Sequence, residues 1–166
     1  MIVSGKVHRY GDDVNTDVIF PGKYTYSVSN PEEMASHAME DIDPEFVKRV
    51  ENGDVVVAGK NFGCGSSRQQ AVSALKYAGI RAVIAKSFSR IYYRNCINLG
   101  LFALTLPELV ENATNGDAIR IDTEMGIVYL GEREFAFPAP PPYIHNIIKA
   151  GGLIPFVKEQ LKNKAG

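Results

Sequence analysis

Residues 54–106, DVVVAGKNFGCGSSRQQAVSALKYAGIRAVIAKSFSRIYYRNCINLGLFALTL, hold three short apolar runs separated by two segments of helical spacing. The centres of DVVVAG, RAVIAKS and LFALTL are apolar at successive positions, which is the composition of strands covered on both faces. SRQQAVSALKYAG puts Ala71, Leu75 and Ala78 on one helical face and stops at Gly79. FSRIYYRNCINLG reads as a second helix. Strands alternating with helices in this way predict βαβ crossovers and a parallel sheet.

Outward from this centre, IVSGKVHRY alternates as a first strand, and GDDVNTDVIFPGKY reads as an irregular loop. SNPEEMASHAM opens a helix with Asn30 as cap and Glu33 closing a capping box; Asp43-Pro44 does the same for DPEFVKRVENG, ending at Gly53. DAIRID, GIVYLG and REFAFP predict a β-meander, PAPPP a stiff connector, and PYIHNIIKAG with LIPFVKEQLK a helical tail. The expectation is one α/β domain over residues 1–166, with a mixed sheet built on a parallel βαβ core.

Composition narrows the function. Eighteen basic residues against 19 acidic give a net charge of -1, so no broad basic face for nucleic acid or an anionic membrane is implied. The apolar runs are too short to span a bilayer, and the start reads as a strand rather than a signal peptide. Two cysteines, Cys64 and Cys96, are too few for a disulfide framework or a self-contained metal site, so no metal is expected on this chain and a reduced, cytoplasmic setting is the default.

Several motifs fail. DVNTD starts like a calcium loop but has Val18 where Gly belongs and Tyr24 in place of the closing Glu. Arg68 stands where GxGxxG needs its third glycine, and no lysine follows Gly65 as a P-loop would require. Cys64 has no histidine partner at a suggestive spacing and reads as a packing residue; Cys96 reads as core.

What survives is the turn NFGCGSSRQQ, residues 61–70, at the carboxyl end of a buried strand, where α/β sheets bind ligands. Ser66 falls at a helix N-cap position and Gln69 can return a capping-box bond. Gly63, Cys64 and Gly65 would offer backbone N–H groups and close approach, and Arg68 a forked cation for a carboxylate. A capping serine beside a solvated arginine explains the same residues about as well. A reactive serine also needs an activating base or metal, and none is adjacent.

The stretch from Asp54 to Leu101 resembles the swivelling β/β/α domain of the aconitase superfamily, through Asn-Phe-Gly-Cys-Gly-Ser-Ser-Arg, Lys-Ser-Phe-Ser-Arg-Ile and Asn-x-Gly-Leu. GDDVNTDVIFPGKY resembles its Asp-x-x-Thr-Asp-x-Ile-x-Pro segment, and the tail AGGLIPFVK the small subunits that serve isopropylmalate isomerisation. The resemblance implies a hydro-lyase subunit, inactive without a large subunit that carries a [4Fe-4S] cluster, in a heterodimer or heterotetramer. It implies Ser66 as catalytic base, with Ser67 and Arg68 binding a substrate carboxylate. Gln69 departs from the glutamate usual at that place. Family members that take tricarboxylates carry an arginine near position 26; here GKYTYSVSN has Tyr24 and Tyr26, and no arginine lies between Arg9 and Arg49. A small dicarboxylic hydroxy acid with an apolar branch is therefore expected, in leucine biosynthesis, with homoaconitase-type and dimethylmalate substrates as neighbours. A stand-alone anion-binding or regulatory module is the alternative of another class.

Overall fold

The computed structural model describes residues 1–166. Seven strands form one sheet in the order β4-β3-β2-β1-β5-β6-β7. β1 (Ile2–Arg9), β2 (Val55–Ala58), β3 (Ala82–Ala85) and β4 (Phe102–Thr105) run parallel. β5 (Ala118–Asp122), β6 (Ile127–Leu130) and β7 (Arg133–Ala136) continue the sheet antiparallel from the other side of β1. The meander and the parallel core therefore share β1 as their seam.

The unbroken apolar runs of β2 and β3 follow from two cores. Val56, Ala58, Val83 and Ala85 join one buried cluster, while Val55, Val57, Ala82 and Ile84 join another on the opposite face. Each strand residue thus has a hydrophobic destination whichever way it points. The first face is covered by α1 (Thr16–Ile19), α2 (Pro31–Ser36), α3 (Phe46–Arg49), α4 (Gln70–Ala78) and α5 (Arg90–Asn98). On the second, α6 (Pro107–Asn112) and α7 (Pro142–Lys149) contribute Leu109, Val110 and Ile148. The terminal helix α8 (Leu153–Ala165) buries none of its residues. No helix is long and apolar enough to cross a membrane.

Local chemistry explains the departures from expectation. The segment 11–24 is not wholly irregular: the Asn15 side chain accepts from the N–H of Val18 and starts α1, and a 3-10 turn follows at Gly22–Tyr24. Asn30 caps α2 through the N–H of Glu33, but the Glu33 carboxylate accepts from the Asn30 side-chain amide rather than from its backbone. Asp43 caps nothing. Its carboxylate takes the guanidinium of Arg49 and the hydroxyl of Tyr10, and Glu45 stands at the start of α3 instead. Helix α6 answers to a signal in the chain, Pro107 in the first turn followed by Glu108.

Candidate active site

The stretch 61–65 is strapped between two neighbours. On one side, the N–H of Gly63 donates to Val14 (2.8 Å) and the N–H of Thr16 to Cys64 (2.9 Å). On the other, Phe62 donates to Ser87 and Ser89 to Phe62 (3.0 Å each), and the Ser89 hydroxyl donates to Gly63 (2.9 Å). The chain there is a short, irregular continuation of the sheet beyond the carboxyl ends of β2 and β3. Ser89 also caps α5 through the N–H of Tyr92.

Beyond the straps the backbone N–H groups are free. None of the N–H groups of Gly65, Ser66, Ser67, Arg68, Gln69 and Gln70 donates a hydrogen bond within a chain that makes 101 backbone–backbone bonds. Ser66 is not the N-cap. Helix α4 begins later, with Gln69 at the cap position, already helical at φ -60 and ψ -30 and making no side-chain bond. The structural reason lies on other elements: Arg68 reaches to Asp17, Phe20 and Thr25, and the Gln70 side chain donates to the carbonyl of Thr25, which unwinds the start of the helix. The amide run is therefore longer than a capped helix would leave, and four of its six residues, Gly65, Ser66, Ser67 and Gln69, are exposed, as an anion site requires.

Ser66 and Ser67 are exposed, and neither hydroxyl is engaged. Ser66 is located through its carbonyl, which accepts from the hydroxyl of the buried Thr16 (2.9 Å). Thr16 thus fixes the turn twice, at Cys64 and at Ser66. The sequence marked Thr16 only as part of a resembling segment, and no local pattern distinguishes it from an ordinary loop threonine.

Gly63 contributes differently from expectation. Its N–H is committed to Val14, so the amide run does not include it. At φ +78 a Cβ there would lie 2.1 Å from Cγ of Tyr92, so glycine is required for packing rather than for approach of a ligand. Gly65, at φ +93 with nothing closer than Thr16 Oγ1 at 3.6 Å, is required for the turn itself. Cys64 is partly exposed and pairs in an isolated bridge with Asn15.

Arg68 does not reach out to solvent. Its side chain is 11% exposed, and it donates to Asp17 (2.7 Å), the Phe20 carbonyl (2.8 Å) and the Thr25 hydroxyl (2.7 Å), with Nε buried and unpartnered. The guanidinium ties the 20–25 loop to the serine turn. Within that loop Tyr24 turns away: its ring stacks on His37 at 3.8 Å and its hydroxyl points to Glu40. Tyr26 is fully exposed.

His8, His37 and His145 pair with Asp54, Glu40 and Thr123, and none approaches Ser66. No group of three His, Cys, Asp or Glu residues is arranged to hold a metal ion. The hollow bounded by Thr16, Gly65, Ser66, Ser67, Arg68, Ser89 and Asn95 measures only ≈ 10 Å³, room for about one water. The surface is an open half-site: two free hydroxyls, a row of amides and one guanidinium, lacking the walls that would enclose a dicarboxylate.

Residues 12–109 match the aconitase C-terminal domain family. The 3-isopropylmalate dehydratase small subunit of Caldicellulosiruptor bescii is 49% identical over 99% of this chain and 100% of its own. That of Moorella thermoacetica is 47% identical over 98% of each chain. A crystal structure of 3-isopropylmalate dehydratase (LeuD) from Methanocaldococcus jannaschii superimposes with a TM-score of 0.88 at 45% identity, covering 100% of both chains.

Proposed function

The chain belongs to the family of 3-isopropylmalate dehydratase small subunits, and on that premise we propose that it interconverts 2- and 3-isopropylmalate with a large, cluster-bearing subunit, in the cytoplasm. The family assigns it to the hydro-lyases and to leucine biosynthesis. We take residues 1–166 as one swivel domain and the assembly as a heterodimer or heterotetramer. The observation that carries the site assignment is the exposed Ser66–Ser67 pair beside the unpartnered amides of residues 65–70.

A [4Fe-4S] cluster needs three thiolates, and this chain has Cys64 on the turn and Cys96 buried in α5. The residues do not fit the group, so we assign it to the partner, where it would supply the Lewis acid for departure of the substrate hydroxyl. The part of this chain is proton transfer and positioning. The Ser66 oxygen takes the proton from the carbon that becomes part of the alkene, the pair of C–H electrons forms the double bond, and the hydroxyl leaves from the neighbouring carbon. Rehydration with the opposite orientation returns that proton to the substrate. A serine alkoxide is a high-energy base; oriented amides and the start of α4 lower its cost without reorganising during the reaction.

Ser67 and Arg68 bind a substrate carboxylate. Because Arg68 is held by Asp17 and Thr25, the carboxylate exchanges with Asp17 on the guanidinium as the 20–25 loop adjusts. We assign the contact with the apolar branch to Tyr26, which nothing in the chain engages, rather than to Tyr24, which is stacked on His37. The small hollow is then explained: the remaining walls are the large subunit's.

The reconstituted pair tests this. Ser66→Ala should abolish turnover while assembly persists; Arg68→Lys, which keeps the charge but loses the fork, should chiefly raise KM. Normal turnover by Ser66→Ala, or preference of the pair for a homocitrate-type tricarboxylate, would refute the corresponding assignment.

A further inference from the structure

At the opposite pole of the sheet, where β2, β3 and β4 begin, lies a hollow of ≈ 560 Å³, within the size range of small-molecule sites. Lys76, Arg81 and Lys149 line it and no carboxylate does. None of the three has a carboxylate partner elsewhere in the chain.

The floor is main chain held in fixed positions. Gly53, Gly100 and Gly151 line the hollow with φ of +106, +77 and +92. A Cβ on Gly53 would come 2.4 Å from the Ser4 carbonyl oxygen, and one on Gly100 would come 2.4 Å from the Gly151 carbonyl carbon. Backbone therefore meets backbone at these two glycines, while a Cβ on Gly151 would meet nothing within 4 Å.

Lys76 is anchored by donating to the carbonyls of Leu99 (2.7 Å) and Gly151 (3.0 Å), which leaves one of its three N–H groups free. Its role at the ends of α5 and α7 accounts for Lys76 alone. The guanidinium of Arg81 and the ammonium of Lys149 make no hydrogen bond to the chain. Burial and then the charge of Arg81 push the Lys76 pKa below the usual lysine value, so the two cations feel each other across the hollow.

We propose that this hollow is a second anion site, taking a small, multiply charged oxyanion of the phosphate or dicarboxylate kind on Arg81, Lys149 and the free N–H of Lys76. It is distinct from the serine turn: the two lie at opposite ends of the nine-residue α4, about 13 Å apart along its axis. A guanidinium fork beside two ammonium groups suits an anion with several oxygens better than a halide.

The test is an NMR titration of the full chain with inorganic phosphate and, in a separate arm, with malate, both at constant ionic strength against sodium chloride. Saturable shifts of the Asn52, Gly53, Gly100 and Gly151 amides are expected in at least one arm, and the arm that saturates names the class. Arg81→Gln and Lys149→Gln should each weaken binding roughly fivefold. Shifts confined to the amides of 65–70 would mean that only the serine turn binds anions, and would overturn the proposal while leaving the Ser66 assignment intact. Shifts no larger than those in chloride, or unchanged affinity in the double variant, would also overturn it.

Discussion

Replacing Gly63 by alanine sets two separable costs against the same turn. The backbone there is left-handed, at φ +78, which costs an L-residue about 1 kcal/mol. The new methyl would then stand 2.1, 2.4 and 2.6 Å from Cγ, Cβ and Cδ1 of Tyr92. Tyr92 cannot swing aside, because it is buried in the core with its hydroxyl bonded to the Ala71 carbonyl. Nor would truncating its ring help, since its own Cβ is among the clashing atoms. The backbone must move, and overpacking of this kind costs about 1–3 kcal/mol more. The sum, about 2–4 kcal/mol, corresponds to a fall in Tm of roughly 6–12 °C for a chain of this size. Gly65→Ala is the control, because it has a φ of +93 but no atom within 3.6 Å, and so bears only the backbone cost. Thermal unfolding of both variants separates the terms. Turnover by the assembled enzyme, measured well below both midpoints, should fall about 100-fold for Gly63→Ala if the turn moves by roughly 1 Å. A Gly63→Ala chain that melts together with Gly65→Ala would refute the packing account of Gly63.

Three further outcomes are expected. Asp54 is buried and accepts from His8 Nε2 and the N–H groups of Lys6 and Glu51; burial opposes its charge, but these bonds together hold its carboxyl below the usual value of 3.8. Its contribution is therefore present above about pH 4 and lost as pH falls through the lower folded value, so Asp54→Ala, which leaves its hydrogen-bond donors unpartnered, should cost about 1–3 kcal/mol at neutral pH, with the gap from wild type in urea titrations closing on acidification. Thr16→Val, which strips the Ser66 carbonyl of its partner, should lower kcat by about tenfold or more with little change in KM, and Thr16→Ser should restore it; equal loss in both variants would make Thr16 merely structural. Under native conditions Cys64 should react with a thiol reagent and Cys96 should not, because burial pushes the Cys96 thiol up and closes access, and prompt modification of both would contradict the packing of α5.

The chain announces its regular elements where burial is symmetric or periodic. Val55–Ala58 and Ala82–Ala85 are apolar because both faces are covered, and the alternation in Ile2–Arg9 survives because β1 is less evenly enclosed. Ser66, Ser67 and Arg68 were legible as a cluster from their glycine-rich context at a strand end. Their arrangement was not. An N-cap at Ser66 is what local propensity favours, yet Arg68 and Gln70 find partners on Asp17, Phe20 and Thr25, some fifty residues earlier, and delay the helix. The turning of Tyr24 toward His37, the committed N–H of Gly63 and the clamp by Thr16 have the same origin. Each depends on what folds against the residue, which neither spacing nor composition encodes. The short α1 and α6 escape hydrophobic periodicity for a different reason: a helix of four or six residues barely completes the period that would reveal it.

Strand β1 has a consequence for biogenesis. It precedes both of its neighbours in the sheet, β2 and β5, which are encoded far downstream, and Asp122 pairs back to Ile2. At about 5–20 residues per second, translation separates those two positions by roughly 6–24 s. During that interval β1 exposes ladder groups on the border that β5 later covers, open to a neighbouring polysome's product. A chaperone that shields extended segments would be needed most before residue 122 is made, and least afterwards.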